Sequence, residues 1–292
     1  MGRGYGVHVP ARLAATCLRT PEHAAWLSRL SGVVSDLKQR WSLTLGVPFD
    51  NDEMSCAWVA PTLLGDGTPA VLKIGMPHME GVHESQGLRF WNGGPMVRLL
   101  EADDDLGAML LERCEPGTAL RSEPPLEQDR VIANLLCRLW RPPVSTYAFR
   151  PLSEMTKRWH DETLAAAEHW PDAGLVREGL QLLLALPQST AERVLLATDL
   201  HAGNVLCAQR EPWLAIDPKP FVGEPAYDAT QHLLNCEARL RSDSDGTIRR
   251  FADRLSVDHE RVRLWLFARA AAQPRDDWKD PWLIEVARAV AL

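Results

Sequence analysis

The stretch Val194-Leu195-Leu196-Ala197-Thr198-Asp199-Leu200-His201-Ala202-Gly203-Asn204-Val205-Leu206, followed by Trp213-Leu214-Ala215-Ile216-Asp217-Pro218-Lys219, decides how this chain is read. Its apolar runs are short and separated by polar turn formers, a pattern that predicts strands. The first strand delivers Asp199 into a loop, and Asn204 closes that loop before a second strand. A third strand ends on Asp217, so the three polar side chains are expected at neighbouring strand ends. Phosphoryl transfer needs such a set: one carboxylate orients and deprotonates the attacking hydroxyl, while an Asn and a second Asp hold magnesium on the phosphates. Mg²⁺ favours hard oxygen ligands and takes few from the protein. The competing reading is a polar hairpin in which Asp199 and Asn204 merely cap turns.

Working towards the N-terminus, other parts of the same machinery come in order. Lys73 interrupts the apolar strand Ala70-Val71-Leu72-Lys73-Ile74, where a charge is costly unless paired. Glu84 lies in the following helix, expected around Gly81 to Trp91, and Glu80 is its rival as partner. A lysine on the α- and β-phosphates, steadied by a helix glutamate, is the protein-kinase arrangement. Alone, Lys73 reads as a strand-edge lysine and Glu84 as a solvated helix residue. Helical periodicity covers Pro21 to Arg40. Strands are expected over Trp41 to Pro48, Cys56 to Leu64, Val97 to Ala102 and Ala108 to Glu112. After Pro116-Gly117 the character turns to long helices, at Leu126 to Trp140, Thr156 to Glu168, Leu175 to Leu186 and Asp258 to Ala272. The fold class is therefore α+β: a β-rich N-lobe with one inserted helix, residues 1–113, and a mainly helical C-lobe, residues 114–292. A ligand cleft is expected between them. The lobe boundary also suggests where adenine is read, through the backbone C=O of Glu112 and N–H of Cys114.

Composition narrows the function classes. Of 292 residues, 46% are hydrophobic, ample for a large core, and the formal net charge of -7 argues against nucleic-acid binding. The six cysteines are scattered, without metal-ligand spacing or a disulfide pattern. No run is long and apolar enough to suggest a bilayer span or a secretory signal, so the expectation is a soluble, cytoplasmic protein with access to ATP.

At this point the residues resemble a known family. The run Glu211-Pro212-Trp213-Leu214-Ala215-Ile216-Asp217-Pro218-Lys219-Pro220, with Val222-Gly223-Glu224-Pro225-Ala226-Tyr227-Asp228, is similar to the streptomycin 6-kinases. These belong to the aminoglycoside/hydroxyurea antibiotic-resistance kinases. Val7-His8-Val9-Pro10, Leu72-Lys73, Gly87-Leu88-Arg89-Phe90-Trp91, Met96-Val97-Arg98-Leu99-Leu100 and Met109-Leu110-Leu111-Glu112-Arg113 extend the likeness over nearly the whole chain. The resemblance implies a kinase-like fold, ATP and Mg²⁺ as cofactors, and transfer of the γ-phosphate to an antibiotic hydroxyl. Asp199 would be the base, Asn204 and Asp217 the metal ligands, and Asp228 a structural anchor at a helix start. The chain departs from the family in two ways. Ala197 stands where the family usually has His, which threatens loop order more than chemistry. There is also no GxGxxG loop, and the Asp50 to Ser55 loop, with Ser55, is expected on the phosphates instead.

The implied acceptor, streptomycin, is cationic through its guanidinium groups, and carboxylates would hold it bidentately. Asp277 and Asp280 fall where the resembled family places acidic residues, and Glu237 is a further candidate. Each could equally be a solvated surface carboxylate. Two alternatives stand beside this reading: a kinase for another hydroxylated small molecule (another antibiotic, a sugar or hydroxyurea), and a kinase-like protein that binds without catalysis, suggested only by Ala197.

Overall fold

The computed structural model describes residues 7–50, 56–275, 278 and 281–291. The chain forms two compact units, Met1–Gly117 with Ala208–Arg210, and Thr118–Cys207 with Glu211–Leu292.

The first unit opens with helices α1 (Ala11–Cys17) and α2 (Pro21–Arg40). Thr20 caps α2 by accepting the His23 N–H at 3.2 Å, Pro21 fits its first turn, and Lys38 and Arg40 suit the negative end of its dipole. Its apolar stripe of Trp26, Leu30, Val34 and Leu37 packs with Trp58, Leu72 and Ile74 of a five-stranded antiparallel sheet. The strands are β1 (Thr44–Leu45), β2 (Ala57–Leu63), β3 (Pro69–Gly75), β4 (Leu99–Asp103) and β5 (Ala108–Glu112), in spatial order β1-β2-β3-β5-β4. Helix α3 (Glu84–Trp91) lies in chain order between β3 and β4. Alternation along the central strand β3 puts Leu72 and Ile74 on one face and Lys73 on the other. The strand expected over Trp41 to Pro48 shrinks to two residues. Ser42, with a φ of 54°, turns the chain ahead of it, and Pro48 has no N–H for a ladder.

The second unit is largely helical: α4 (Pro125–Leu139), α5 (Leu152–Ala165) and α6 (Ala173–Ala185), and later α7 (Pro225–Leu234), α8 (Glu237–Ser242), α9 (Ser244–Leu255), α10 (His259–Ala272) and α11 (Trp282–Val290). Between these groups run β6 (Val194–Leu196), β7 (Val205–Cys207), β8 (Trp213–Ala215) and β9 (Phe221–Gly223), which form two antiparallel pairs, β6 with β9 and β7 with β8. Helix α10 is the core. Trp265, Leu266, Ala268, Ala270, Ala271 and Ala272 are fully buried, and α6, α7 and α11 pack around it. The α6 contact needs Gly179, because a Cβ there would lie 2.8 Å from the Ala271 Cβ. No described helix is long and apolar enough to cross a membrane.

Candidate active site

In the first unit the Lys73 Nζ donates to the Glu84 Oε1 at 2.5 Å, with side-chain exposures of 9% and 6%. Of the two candidate partners it is thus Glu84 that meets the lysine. Glu84 opens α3, where the helix dipole favours a carboxylate, so a buried charge is matched by both a cation and a helix end. The Glu112 carboxylate accepts from the Arg98 N–H at 3.0 Å and from the Arg210 Nε and Nη2, both at 2.9 Å. Burial works against its ionisation, but these donors outweigh burial and hold its carboxyl below the ordinary range. Cys114 lies half-buried in the turn before Gly117, whose φ of 76° suits glycine. Ser55 falls outside the described residues.

In the second unit the Val194–Asp217 segment builds a tightly pinned loop. Thr198 takes a φ of 53°, and the Asp199 N–H donates to the Ala197 carbonyl at 2.8 Å across it. A β-branched residue with such a φ persists only if its surroundings hold it there. Asp228, in the first turn of α7 and only 1% exposed, supplies that hold. Its Oδ1 accepts the Thr198 N–H at 2.7 Å, and its Oδ2 accepts the Ala197 N–H at 3.0 Å and the Trp140 indole N–H at 2.9 Å. Burial pushes the Asp228 carboxyl up to about 6 despite these donors, so it stays ionised at neutral pH. The Thr198 hydroxyl donates to the Lys219 carbonyl at 2.5 Å, and the Lys219 N–H returns to the Ala197 carbonyl at 2.8 Å. Ala197 is therefore fixed through both of its backbone polar groups.

This frame brings Asp199 and Asn204 together. The Asn204 Nδ2 donates to the Asp199 backbone carbonyl at 3.0 Å and lies 3.4 Å from its Oδ2. The Asn204 carbonyl accepts the Ile216 N–H at 2.9 Å, tying the loop to the segment between β8 and Asp217. Asp217 has a φ of 53° and pairs its Oδ1 with the ammonium of Lys219. His201 accepts the Gly203 N–H at 3.2 Å on Nδ1. Burial chiefly, with the charges of His232 and Arg121 and against that of Asp217, takes its imidazole down to about 4, so it is neutral.

Sequence reasoning missed two polar residues here. The Gln231 Nε2 donates to the Asp199 Oδ1 at 2.8 Å, and the Arg269 Nη2 donates to the Gln231 Oε1 at 2.5 Å. A signal existed: Gln231 follows Asp228 by three residues, one turn on along the same helix face. Nothing local in the sequence links Arg269 to it.

The candidate substrate carboxylates fare differently. Asp277 and Asp280 lie outside the described residues. Glu237 is exposed at the start of α8 and already accepts from the Arg241 Nε at 2.9 Å. A buried trio, Asp129, His232 and Cys236, has the ligand types of a metal site. Its centre is taken by Arg239, which donates to both Asp129 oxygens at 2.6 and 2.8 Å and to the Cys236 Sγ at 2.6 Å. Burial opposes ionisation of Asp129, yet the His232 and Arg239 bonds bring it down to about 2. The guanidinium plays the cation's part.

The profile described as aminoglycoside/hydroxyurea antibiotic resistance kinase matches residues 40–276. The chain is 35% identical to a streptomycin 6-kinase of Streptomyces griseus, over 98% of this chain and 97% of that one. It is also 35% identical to a hydroxyurea phosphotransferase of Kitasatospora aureofaciens, over 91% of this chain and 79% of that one. Among solved structures, a choline kinase of Streptococcus pneumoniae superposes with a TM-score of 0.63 at 14% identity, covering 89% of this chain and 99% of that one. This likeness shows the fold, that of protein-kinase-like phosphotransferases.

Proposed function

The chain belongs to the aminoglycoside/hydroxyurea antibiotic resistance kinase family, and we propose that it inactivates streptomycin by ATP-dependent phosphorylation of the 6-hydroxyl. The single observation that carries the reading is the pinned Asp199 loop. A carboxylate is held by Gln231 on one oxygen and neighboured by Asn204, with Asp217 two residues beyond the adjoining strand pair.

In this reading Asp199 accepts the proton of the acceptor hydroxyl as that oxygen attacks the γ-phosphorus. Lys73, steadied by Glu84, binds the α- and β-phosphates, and the backbone of Glu112 and Cys114 meets the adenine. The donor set of the second unit fits a magnesium ion: the Asn204 amide nitrogen is turned to Asp199, which directs its oxygen elsewhere, and Asp217 adds a carboxylate. Bound there, Mg²⁺ would neutralise charge on the phosphates. The Lys219 ammonium, paired with one Asp217 oxygen, would share that carboxylate with the ion. Ser55, Asp277 and Asp280 remain candidates for the phosphate and the substrate guanidinium groups.

A second acceptor is favoured by a specific observation: the hydroxyurea phosphotransferase has the same 35% identity to the chain as the streptomycin 6-kinase, over a smaller share of each chain. The engagement of Glu237 with Arg241 also leaves one fewer carboxylate for a dication. Incubation with Mg²⁺, ATP and each acceptor in turn, followed by ³¹P NMR of the product, separates the two. A phosphate ester on the streptomycin 6-position is the expected result; phosphorylation of hydroxyurea alone would reassign the acceptor.

A further inference from the structure

Behind Asp199 lies a buried polar chain that runs through Gln231 to Arg269. Arg269 of α10 is 3% exposed. Its guanidinium lies over the ring faces of Tyr227, at 5.1 Å, and Trp159, at 5.8 Å. Its N–H groups go to neutral oxygens: Thr230 Oγ1 at 2.7 Å, Gln273 Oε1 at 3.1 Å and Gln231 Oε1 at 2.5 Å. An arginine offers only donors, so the Gln231 face towards it must be the carbonyl oxygen. The amide then has one possible orientation, with its NH₂ towards Asp199, and that group meets Oδ1 at 2.8 Å. A buried cation is thereby joined to the loop carboxylate through one polarised amide. Fixing Oδ1 also fixes the plane of the carboxylate, and so the direction in which Oδ2 faces.

We propose that Gln231, locked by the buried Arg269, is the positioning residue that aims the Asp199 carboxylate at the acceptor hydroxyl. The inference rests on Asp199 being the base, as read above. General-base catalysis depends on hydrogen-bond-scale geometry, and a base that swings loses part of the ~10²–10⁴ it supplies.

The test compares two near-isosteric variants. Gln231→Glu keeps an acceptor for Arg269 but replaces the donor to Asp199 by a second carboxylate; Gln231→Met removes both bonds. A merely structural Gln231 predicts that Glu is tolerated and Met is not. The positioning role predicts the reverse order: Gln231→Glu keeps the melting temperature and the ATP KM while kcat with streptomycin falls about 10- to 100-fold, and Gln231→Met falls less. Wild-type kcat in Gln231→Glu overturns the proposal. A second readout needs no turnover. The Gln231 side-chain amide proton, assigned by its absence in Gln231→Glu, should move upfield in Asp199→Ala, and an unmoved signal also overturns the contact. An inactive wild-type enzyme on every acceptor would sink the kinase reading instead, leaving the amide signal to decide whether Gln231 holds Asp199.

Discussion

Replacing Lys73 by Met should cost the protein stability as well as activity, because Glu84 then stays behind as an uncompensated buried charge. Both side chains are more than nine-tenths buried and meet at 2.5 Å. Removing one partner of a buried pair typically costs ~3–5 kcal/mol. The N-terminal position of Glu84 on α3 relieves some of that, up to ~1 kcal/mol. A loss of about 3 kcal/mol is therefore expected for Lys73→Met. The double variant Lys73→Met/Glu84→Leu removes the stranded charge and fills the space with apolar groups, which in buried pairs is often neutral or stabilising. It should recover most of the lost stability. Urea unfolding of the wild type, both single variants and the double variant at neutral pH gives the cycle. A coupling energy of at least ~2 kcal/mol is predicted, with ATP turnover abolished in the double variant as in the single. A Lys73→Met protein within ~0.5 kcal/mol of wild type, or a double variant no more stable than the single, would refute the reasoning.

The remaining predictions concern the second unit. In the folded state Asp228 is raised to about 6, so between pH ~4 and ~6 the native protein holds a proton that the unfolded chain has released. Its contribution to stability therefore falls as pH rises through that window. The wild-type-minus-Asp228→Asn difference in unfolding free energy should shrink from pH 4.5 to 6.5, and a difference that grows contradicts the sign. His201 acts in the opposite sense: lowered to about 4, it resists protonation in the fold, so its contribution is lost as pH falls from ~6.5 towards ~4. The wild-type-minus-His201→Asn difference in unfolding free energy should shrink as pH falls from 6.5 to 4.5, and a difference that stays constant would show that His201 does not titrate in this sense. Ser256, exposed with a φ of 55° at the end of α9, should be better as glycine. Ser256→Gly is expected to raise stability by ~0.5–1 kcal/mol, measured by thermal melting, and a loss would show that its side chain contributes more than the strain it carries.

Much of this was readable in the sequence because the informative features are local. The helix over Pro21 to Arg40 carries its own cap and periodicity, and β2, β3 and β5 are bounded by turn residues. Lys73 within an apolar strand announced a buried charge that needed a partner, and Glu84 supplies it. Spacing alone brought Asp199 beside Asn204. Long-range features were not legible. The pairing of β6 with β9 depends on residues far apart in the chain, and β9 is only three residues long. The grip of Asp228 on the Ala197 and Thr198 N–H groups spans about thirty positions. Arg269 reads as one more basic residue on a helix, and only the fold places it against Gln231. The helices α1, α8, α9 and α11 escaped notice as well, being short or, in α9, strongly charged.

The most direct test of the account is coupled ADP release with Mg²⁺, ATP and streptomycin, comparing the intact protein with Asp199→Asn. Asparagine keeps the shape of the side chain and removes its basicity, so release should depend on streptomycin in the wild type. In the variant it should drop by a hundredfold or more, the low end of what a general base contributes being ~10². Equal release from both proteins would contradict the assignment of Asp199 as the base on which the whole reading of the site turns.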